Sequence, residues 1–168
     1  MFKYLFVFIF IFVFAWFDKS LGYSTTSSVY THFTYMFQHA GVIHLTVNSL
    51  TFIGMFRSVE KYINKYILSI TIISISVASS FLSIYDMPTV GASSMIYAMI
   101  GIYIPIIILY DKAIIINKKK YTMFIFFIFI SLIISYLKNN SNFWLHVYSL
   151  LIGISSGIIV SIYKNEKL

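Results

Sequence analysis

Two polar residues in an otherwise apolar chain have side chains that could carry out nucleophilic catalysis. Ser93 supplies a hydroxyl and His146 supplies an imidazole, and a serine beside a base is the minimal activated nucleophile. His44 and Asn48 add two further polar side chains, and because they are four residues apart they project from one face of a helix. These residues lie in three separate segments, so the chemistry requires a fold that brings the segments together.

The composition indicates what surrounds those segments. Of the 168 residues, 60% are hydrophobic and only 10% are charged, and the mean hydropathy is +0.88. A soluble domain carries roughly 25% charged residues, so lipid is the solvent for most of this chain. The net charge of +7 does not indicate a nucleic-acid partner, because the lysines lie between apolar runs instead of along one solvated stripe. The absence of cysteine excludes thiolate nucleophiles, disulfides and cysteine-based metal sites.

Apolar runs separated by short polar segments predict an all-α polytopic membrane protein with a single domain, residues 1–168. We expect six transmembrane helices, at approximately residues 4–17, 41–56, 66–85, 91–110, 121–137 and 143–163. The first run also resembles a signal peptide, but the Trp, Phe and Asp that follow Ala15 fit a cleavage site poorly. The first run is therefore expected to be retained as a span.

The basic residues predict the orientation of this bundle. With a cytoplasmic N-terminus and six spans, ten of the twelve Lys and Arg residues face the cytoplasm, and only Lys19 and Lys138 face outward. The positive-inside rule therefore predicts that the N- and C-termini are both cytoplasmic.

In this orientation the second, fourth and sixth spans enter from the outer side, and each carries polar residues near that end. His44 and Asn48 lie in the second span, Ser93 begins the fourth, and His146 lies near the start of the sixth. Strongly polar side chains within a bilayer usually face the protein interior or a water-filled cavity. We therefore infer that the polar residues of these three spans line one cavity, which opens to the outer side.

Small residues in the fourth and sixth spans predict how these two helices pack. They are Ser94, Ala98 and Gly101 in the fourth span, and Ser149, Gly153 and Gly157 in the sixth. Small residues let helix backbones approach closely in lipid. If the two faces meet, Gly101 and Gly153 lie at similar depth. That register brings Ser93 within hydrogen-bond reach of His146.

Three segments resemble those of the rhomboid family of intramembrane serine proteases. Residues 37–48 resemble its second helix, with the H-x-x-x-N pair at His44 and Asn48. Residues 91–101 resemble the G-x-S-x nucleophile motif and the fourth helix, and His146, followed by glycines seven and eleven residues later, resembles the sixth helix. The motifs follow the family's order and cover nearly the whole chain.

The resemblance implies a role for each polar residue. Ser93 would be the nucleophile and His146 the general base, in a dyad that has no third, acidic member. His44, Asn48 and the backbone N–H of Ser93 would form the oxyanion hole. The implied fold is a six-helix rhomboid-like bundle.

Residues beside the motifs are expected to support or alter the site. Gly91 opens the nucleophile motif, and by the resemblance the ring of Tyr97 packs against the catalytic imidazole. Ser94 and Ser149 stand where the family usually has glycine, and Ser94 is expected to narrow the space behind the nucleophile. The Trp-Arg pair that many members carry in the first outer loop is not present.

The function implied by the resemblance is intramembrane serine endopeptidase. It would cleave transmembrane segments of membrane proteins near their outer end through an acyl-enzyme, without a cofactor or a metal. Its partners would be transmembrane protein substrates and the lipid bilayer. The compact six-span form suggests a bacterial inner membrane, with the site open to the extracytoplasmic side.

The same residues allow three other interpretations. A catalytically inactive rhomboid-like protein would bind transmembrane helices without cleaving them, but it typically lacks the serine or the histidine. A transporter or channel would carry polar residues through the full membrane depth, whereas the inner halves of these spans are mostly Ile, Val and Phe. A metal site formed by His39, His44 and His146 has no nearby carboxylate or H-E-x-x-H pattern to support it.

Overall fold

The computed structural model describes residues 21–111, 115, 117–138 and 141–166, and the protein is mainly helical in these ranges. Five helices in these ranges are long and apolar enough to cross a membrane. No strand is formed there, although Tyr23 and Thr89 make an isolated antiparallel bridge. The predicted all-α membrane fold is confirmed. The predicted first span, residues 4–17, lies outside the described residues.

The helices follow the apolar runs of the sequence. They are α1 (Thr31–Thr34), α2 (Val42–Val59), α3 (Lys65–Leu82), α4 (Ser93–Pro105), α5 (Lys118–Leu137) and α6 (Phe143–Asn165). A π-helical segment, Ile106–Tyr110, continues α4 to the length of a membrane span. Because Pro105 has no N–H to donate, the regular hydrogen-bond ladder cannot continue through it, which accounts for the change of helix type at this point.

The helix ends differ from the predicted spans by at most three residues, and the differences have physical causes. α2 ends at Val59 instead of residue 56, α5 begins at Lys118 instead of residue 121, and α6 ends at Asn165 instead of residue 163. Counting apolar residues stops at the first charge, whereas a helix continues through Lys and Arg because their long stems can extend along it. α3 runs from Lys65 to Leu82, against the predicted 66–85, because Ser83 is extended.

The helix that begins with Ser93 forms the centre of the bundle. Two thirds (67%) of its membrane-spanning window is buried, against 17–33% for the other four. α4 packs most extensively on α6, and it also contacts α2 and α3. α5 is the least buried, and its exposed Phe126, Phe127 and Phe129 side chains suit a lipid-facing surface. A helix surrounded on most sides can hold a polar group away from lipid.

The backbones of α4 and α6 are in direct contact along a line of glycines. A Cβ atom on Gly153 would lie 2.4 Å from the carbonyl oxygen of Ala98 and 3.1 Å from the Cα of Gly101. A Cβ on Gly157 would lie 2.4 Å from the carbonyl oxygen of Ile102. The predicted contact between the two small-residue faces is confirmed, and with it the similar depth of Gly101 and Gly153.

The start of α6 is tied to the loop that precedes α4. The Asn142 side chain caps α6 by accepting a hydrogen bond from the Leu145 N–H at 3.1 Å. The same carboxamide accepts from the Ser83 hydroxyl at 2.7 Å and donates to the Thr89 Oγ1 at 3.1 Å. One asparagine thus fixes the first turn of α6 against the segment that leads to α4.

Candidate active site

Ser93 is the first residue of α4 and lies two residues after a glycine in a left-handed conformation. Gly91 has a φ of +123°, a value that residues with a Cβ rarely adopt. Its N–H donates to the Tyr35 carbonyl at 2.9 Å. This turn explains why α4 begins at Ser93 and not at the predicted residue 91, and it places the nucleophile candidate at a helix N-terminus, where backbone N–H groups have no intrahelical partner.

The hydroxyl of Ser93 contacts the imidazole of His146. Ser93 Oγ lies 2.8 Å from His146 Nε2, a normal hydrogen-bond length. Both side chains are half-buried. The glycine contacts between α4 and α6 and the Asn142 cap set this distance, because they fix the relative depth of the two helices.

The imidazole of His146 is held on its face and on its second nitrogen. The Tyr97 ring, one helical turn after Ser93, stacks on it with centroids 4.6 Å apart and planes inclined by 26°. The Tyr97 hydroxyl donates to Ser131 Oγ at 2.8 Å. His146 Nδ1 lies 2.8 Å from Ser135 Oγ.

Ser131 and Ser135 are residues of α5 that the sequence interpretation missed. They are four residues apart and therefore share a helix face. Ser135 contacts the His146 ring directly, and Ser131 contacts Tyr97, which stacks on that ring. A polar pair at helical spacing within an apolar run was the available signal. Ser135 is buried, and its Oγ also lies 2.8 Å from that of Ser141.

His44 and Asn48 lie beside Gly91, next to the nucleophile candidate. A Cβ on Gly91 would be 2.8 Å from His44 Cε1, 3.0 Å from His44 Nε2 and 3.2 Å from Asn48 Nδ2. A residue with a Cβ at position 91 would therefore also clash with the His44 and Asn48 side chains. The structure thus brings together Ser93, His146 and the two predicted α2 residues at one end of the bundle.

Both α2 side chains offer a hydrogen-bond donor at this position. Asn48 is buried, and its Nδ2 has no hydrogen-bond partner among the described residues. A buried donor without a partner is destabilising, at a cost of about 1–3 kcal/mol, so it marks a position where a ligand or substrate atom could accept. His44 Nδ1 accepts from the Ala40 N–H at 3.4 Å, which leaves the proton of the neutral ring on Nε2.

His39 supports the loop before the nucleophile candidate. Its Nε2 accepts from the Ala92 N–H at 3.4 Å, and its ring makes an edge contact with His44 at a centroid distance of 5.3 Å. Burial, together with the charge of His44, lowers the pKa of His39 to about 4. The neutral form, which can accept this hydrogen bond, therefore persists to acidic pH.

Ser94 and Ser149, which the sequence analysis singled out at positions where glycine was expected, are both fully buried. Ser94 Oγ lies 2.8 Å from the hydroxyl of Tyr35, which also donates to the Ser76 carbonyl at 3.0 Å. Ser149 is fully buried, and its Oγ has no partner among the described residues. In the same residues, no group of three or more His, Asp or Glu side chains is arranged to hold a metal ion.

Comparison with known proteins agrees with these observations. Residues 26–163 match the family model described as Rhomboid domain. The matched region includes Ser93, His146 and every side chain that surrounds them. No curated protein matches the chain.

Proposed function

The chain belongs to the rhomboid family, and on that premise we propose that it is an intramembrane serine endopeptidase. Members of this family are generally serine proteases that act on transmembrane substrates within the bilayer, although inactive members exist. Membership alone therefore does not establish an enzyme. The observation that carries the proposal is the 2.8 Å contact between Ser93 Oγ and His146 Nε2.

In the proposed reaction, His146 acts as a general base and then as a general acid. Its Nε2 accepts the Ser93 proton as the hydroxyl oxygen attacks the carbonyl carbon of the scissile peptide bond. The tetrahedral intermediate collapses when the same nitrogen delivers the proton to the leaving amine, which leaves an acyl-enzyme on Ser93. A water molecule, deprotonated by His146, then attacks the ester and regenerates the serine.

The oxyanion of the tetrahedral intermediate would be stabilised by donors that surround Gly91. We assign this role to Asn48 Nδ2, His44 Nε2 and the backbone N–H of Ser93. Two observations support the assignment: Asn48 Nδ2 has no hydrogen-bond partner in the described part of the chain, and His44 Nε2 carries the ring proton. The N-terminus of α4 adds the positive end of a helix dipole. In soluble serine proteases one such donor contributes roughly 3–4 kcal/mol to the transition state.

Substrates are expected to be transmembrane helices that unwind easily. A helical peptide has its carbonyl groups hydrogen-bonded within the helix, so a segment must open locally before Ser93 can attack. Gly and Pro lower helix stability by about 1 and 3 kcal/mol relative to Ala. We therefore expect cleavage in spans that carry such residues near the end that enters the site.

The distribution of basic residues supports an extracytoplasmic site. Among the described residues, Lys138 lies at the Ser93 end of the bundle, while the remaining basic residues lie at the opposite end. These are Arg57, Lys61, Lys65, Lys118, Lys119, Lys120 and Lys164. Since basic loops remain in the cytoplasm, the site would open to the extracytoplasmic side. The compact form favours a bacterial inner membrane as the location.

The proposal is tested by cleavage in reconstituted vesicles. The substrate is a single-span protein with Gly and Pro near one end of its span. Wild type should release two fragments, Ser93→Ala should release none, and Ser94→Ala should retain activity, because that neighbouring hydroxyl contacts Tyr35 and not His146. A folded wild type that leaves the substrate intact, or cleavage by Ser93→Ala, would reject the protease and favour a helix-binding role.

A further inference from the structure

The proposed reaction leaves one nitrogen of His146 without a role. Nδ1 lies 2.8 Å from the hydroxyl oxygen of Ser135 on α5. Ser135 is 5% exposed, and its oxygen lies 2.8 Å from that of Ser141, in the short segment between α5 and α6. A chain of hydroxyls therefore leads away from the imidazole on the side opposite Ser93.

We propose that Ser135 is a positioning residue that holds His146 in its reactive tautomer. This inference rests on the proposed function, because only a base at Nε2 requires one tautomer. Neutral imidazole has one donor nitrogen and one acceptor nitrogen. For Nε2 to accept the Ser93 proton, Nδ1 must carry the other proton and donate it. Ser135 Oγ is the acceptor that the geometry supplies at that nitrogen.

Ser141 allows this contact to take the productive direction. A hydroxyl can donate as well as accept, and Ser135 donating to Nδ1 would place the imidazole proton on Nε2, the unreactive arrangement. Because Ser141 Oγ lies within hydrogen-bond distance of Ser135 Oγ, it can accept the Ser135 proton. Ser135 then uses a lone pair to accept from His146, and the productive order is Nδ1–H to Ser135, then Ser135 O–H to Ser141.

A neutral hydroxyl suits a base within a membrane. Soluble triads orient the histidine with a buried carboxylate, but an ionised carboxylate surrounded by lipid is costly. Ser135 orients the ring without introducing a charge. When His146 becomes an imidazolium during the reaction, its Nδ1–H keeps the same acceptor.

The same helix face supports the imidazole at a second point. Ser131, one turn before Ser135, accepts from the hydroxyl of Tyr97, whose ring stacks on His146. α5 therefore contacts the ring through its Nδ1 edge and, indirectly, through its face. The packing of α5 against α4 and α6 is therefore required to hold the His146 imidazole in its productive orientation.

The experiment compares hydroxyl-deleting and hydroxyl-keeping variants of the full chain. In vesicles, Ser135→Ala should lower kcat for the single-span substrate about 10-fold or more, a typical effect of losing one hydrogen bond to a catalytic group. KM should change by less than about twofold, because Ser135 is buried against His146 and Ser141 and is assigned no contact with the substrate. Ser135→Thr should restore most of the activity. Ser161→Ala is the matched control, since it deletes a buried α6 hydroxyl that donates to the Gly157 carbonyl, far from the site.

A spectroscopic readout tests the tautomer without activity. In protein with ¹⁵N-labelled histidine, solid-state NMR of wild type should show Nδ1 of His146 protonated and Nε2 unprotonated, with the signals assigned by their loss in His146→Ala. Ser135→Ala should shift the tautomer population toward a protonated Nε2. Ser141→Ala should shift it in the same direction if Ser135→Ala does not fold.

Each result decides between the positioning role and the alternatives. The inference would be overturned if folded Ser135→Ala kept both the wild-type kcat and the wild-type His146 tautomer. It would also be overturned if Ser135→Ala and Ser135→Thr lost kcat equally, because that result would indicate a packing effect and no role for the hydroxyl. Failure of wild type to cleave would overturn the proposed function, and the NMR result would still decide the role of Ser135 in orienting the ring.

Discussion

Ser93 and His146 are 53 residues apart in the chain, yet their side chains meet at 2.8 Å because two helices touch at backbone level. Gly153 of α6 contacts the Ala98 carbonyl of α4, about two turns from the site. Distances of this kind are sensitive to helix separation, since a misplacement of about 1 Å can cost 100-fold in rate. The helix contact and the chemistry are therefore expected to fail together.

Gly153→Ala should separate α4 from α6 and reduce both stability and activity. The new Cβ would lie 2.4 Å from the Ala98 carbonyl oxygen, and overpacking of this kind costs about 1–3 kcal/mol. Heat denaturation in detergent and vesicle cleavage measure the two effects. Gly54→Ala is the control, because a Cβ there would meet nothing within 4 Å. Equal behaviour of the two variants would contradict the packing argument.

Removal of the Tyr97 ring should impair the base more than removal of its hydroxyl. Tyr97→Phe keeps the ring that stacks on His146 and loses only the bond to Ser131, so a loss of a few-fold in kcat is expected. Tyr97→Ala removes the stack, which contributes about 0.5–1.5 kcal/mol in aromatic pairs, and leaves the imidazole free to turn. Its kcat should fall at least about 10-fold. If both variants lost activity equally, the stack would have no role of its own.

Asn48→Leu should lower kcat without lowering stability. The amide stabilises the oxyanion in the proposed reaction, so kcat should fall by about 100-fold, with little change in KM. Since the buried Nδ2 has no partner among the described residues, a leucine of similar size removes an unpaired donor, and the melting temperature should stay level or rise. Asn165→Leu, at the far end of α6, is the control for activity. A fall in stability with unchanged kcat would indicate a structural asparagine.

His39 should make the protein less stable as the pH falls from 6.5 toward 4. Its folded pKa is about 4, below the ordinary value of 6.5, so in this window the unfolded chain binds a proton that the folded chain does not. Unfolding is then favoured by acid, and the effect levels off below the folded pKa. His39→Gln cannot titrate but keeps an acceptor for the Ala92 N–H. The melting temperature of His39→Gln should fall less than that of wild type between pH 7 and 5. If the two melting temperatures fell in parallel with pH, His39 would not be the cause of the acid sensitivity.

Much of the fold and the meeting of Ser93 with His146 could be predicted from the sequence, because both depend on local patterns. Apolar runs fix the helices, and glycine spacing in α4 and α6 fixes which faces meet. The role of Ser135 could not be predicted in this way. Its spacing from Ser131 marks a polar helix face, but a serine in a membrane helix usually bonds its own backbone, as Ser161 does with the Gly157 carbonyl. The spacing therefore does not show which side chain Ser135 meets until the neighbouring helix is known.

The backbone at Gly91 was also beyond a pattern-based prediction. The motif indicated a glycine before the serine, but not that this glycine would adopt a positive φ at the end of the loop. Nor did the spacing of His44 and Asn48 show that both would contact the glycine itself. These features arise from packing between α2 and the loop before α4, which no single segment determines.

The most direct test of the account is the rate and position of reaction with a fluorophosphonate, which reacts with activated serines. Peptide mass spectrometry should find the adduct on Ser93 in wild type and in Ser94→Ala, and no adduct in Ser93→Ala. His146→Ala should slow the reaction by at least about 100-fold, the usual contribution of a general base. An adduct on another residue, or labelling of folded His146→Ala at the wild-type rate, would contradict the claim that His146 activates Ser93.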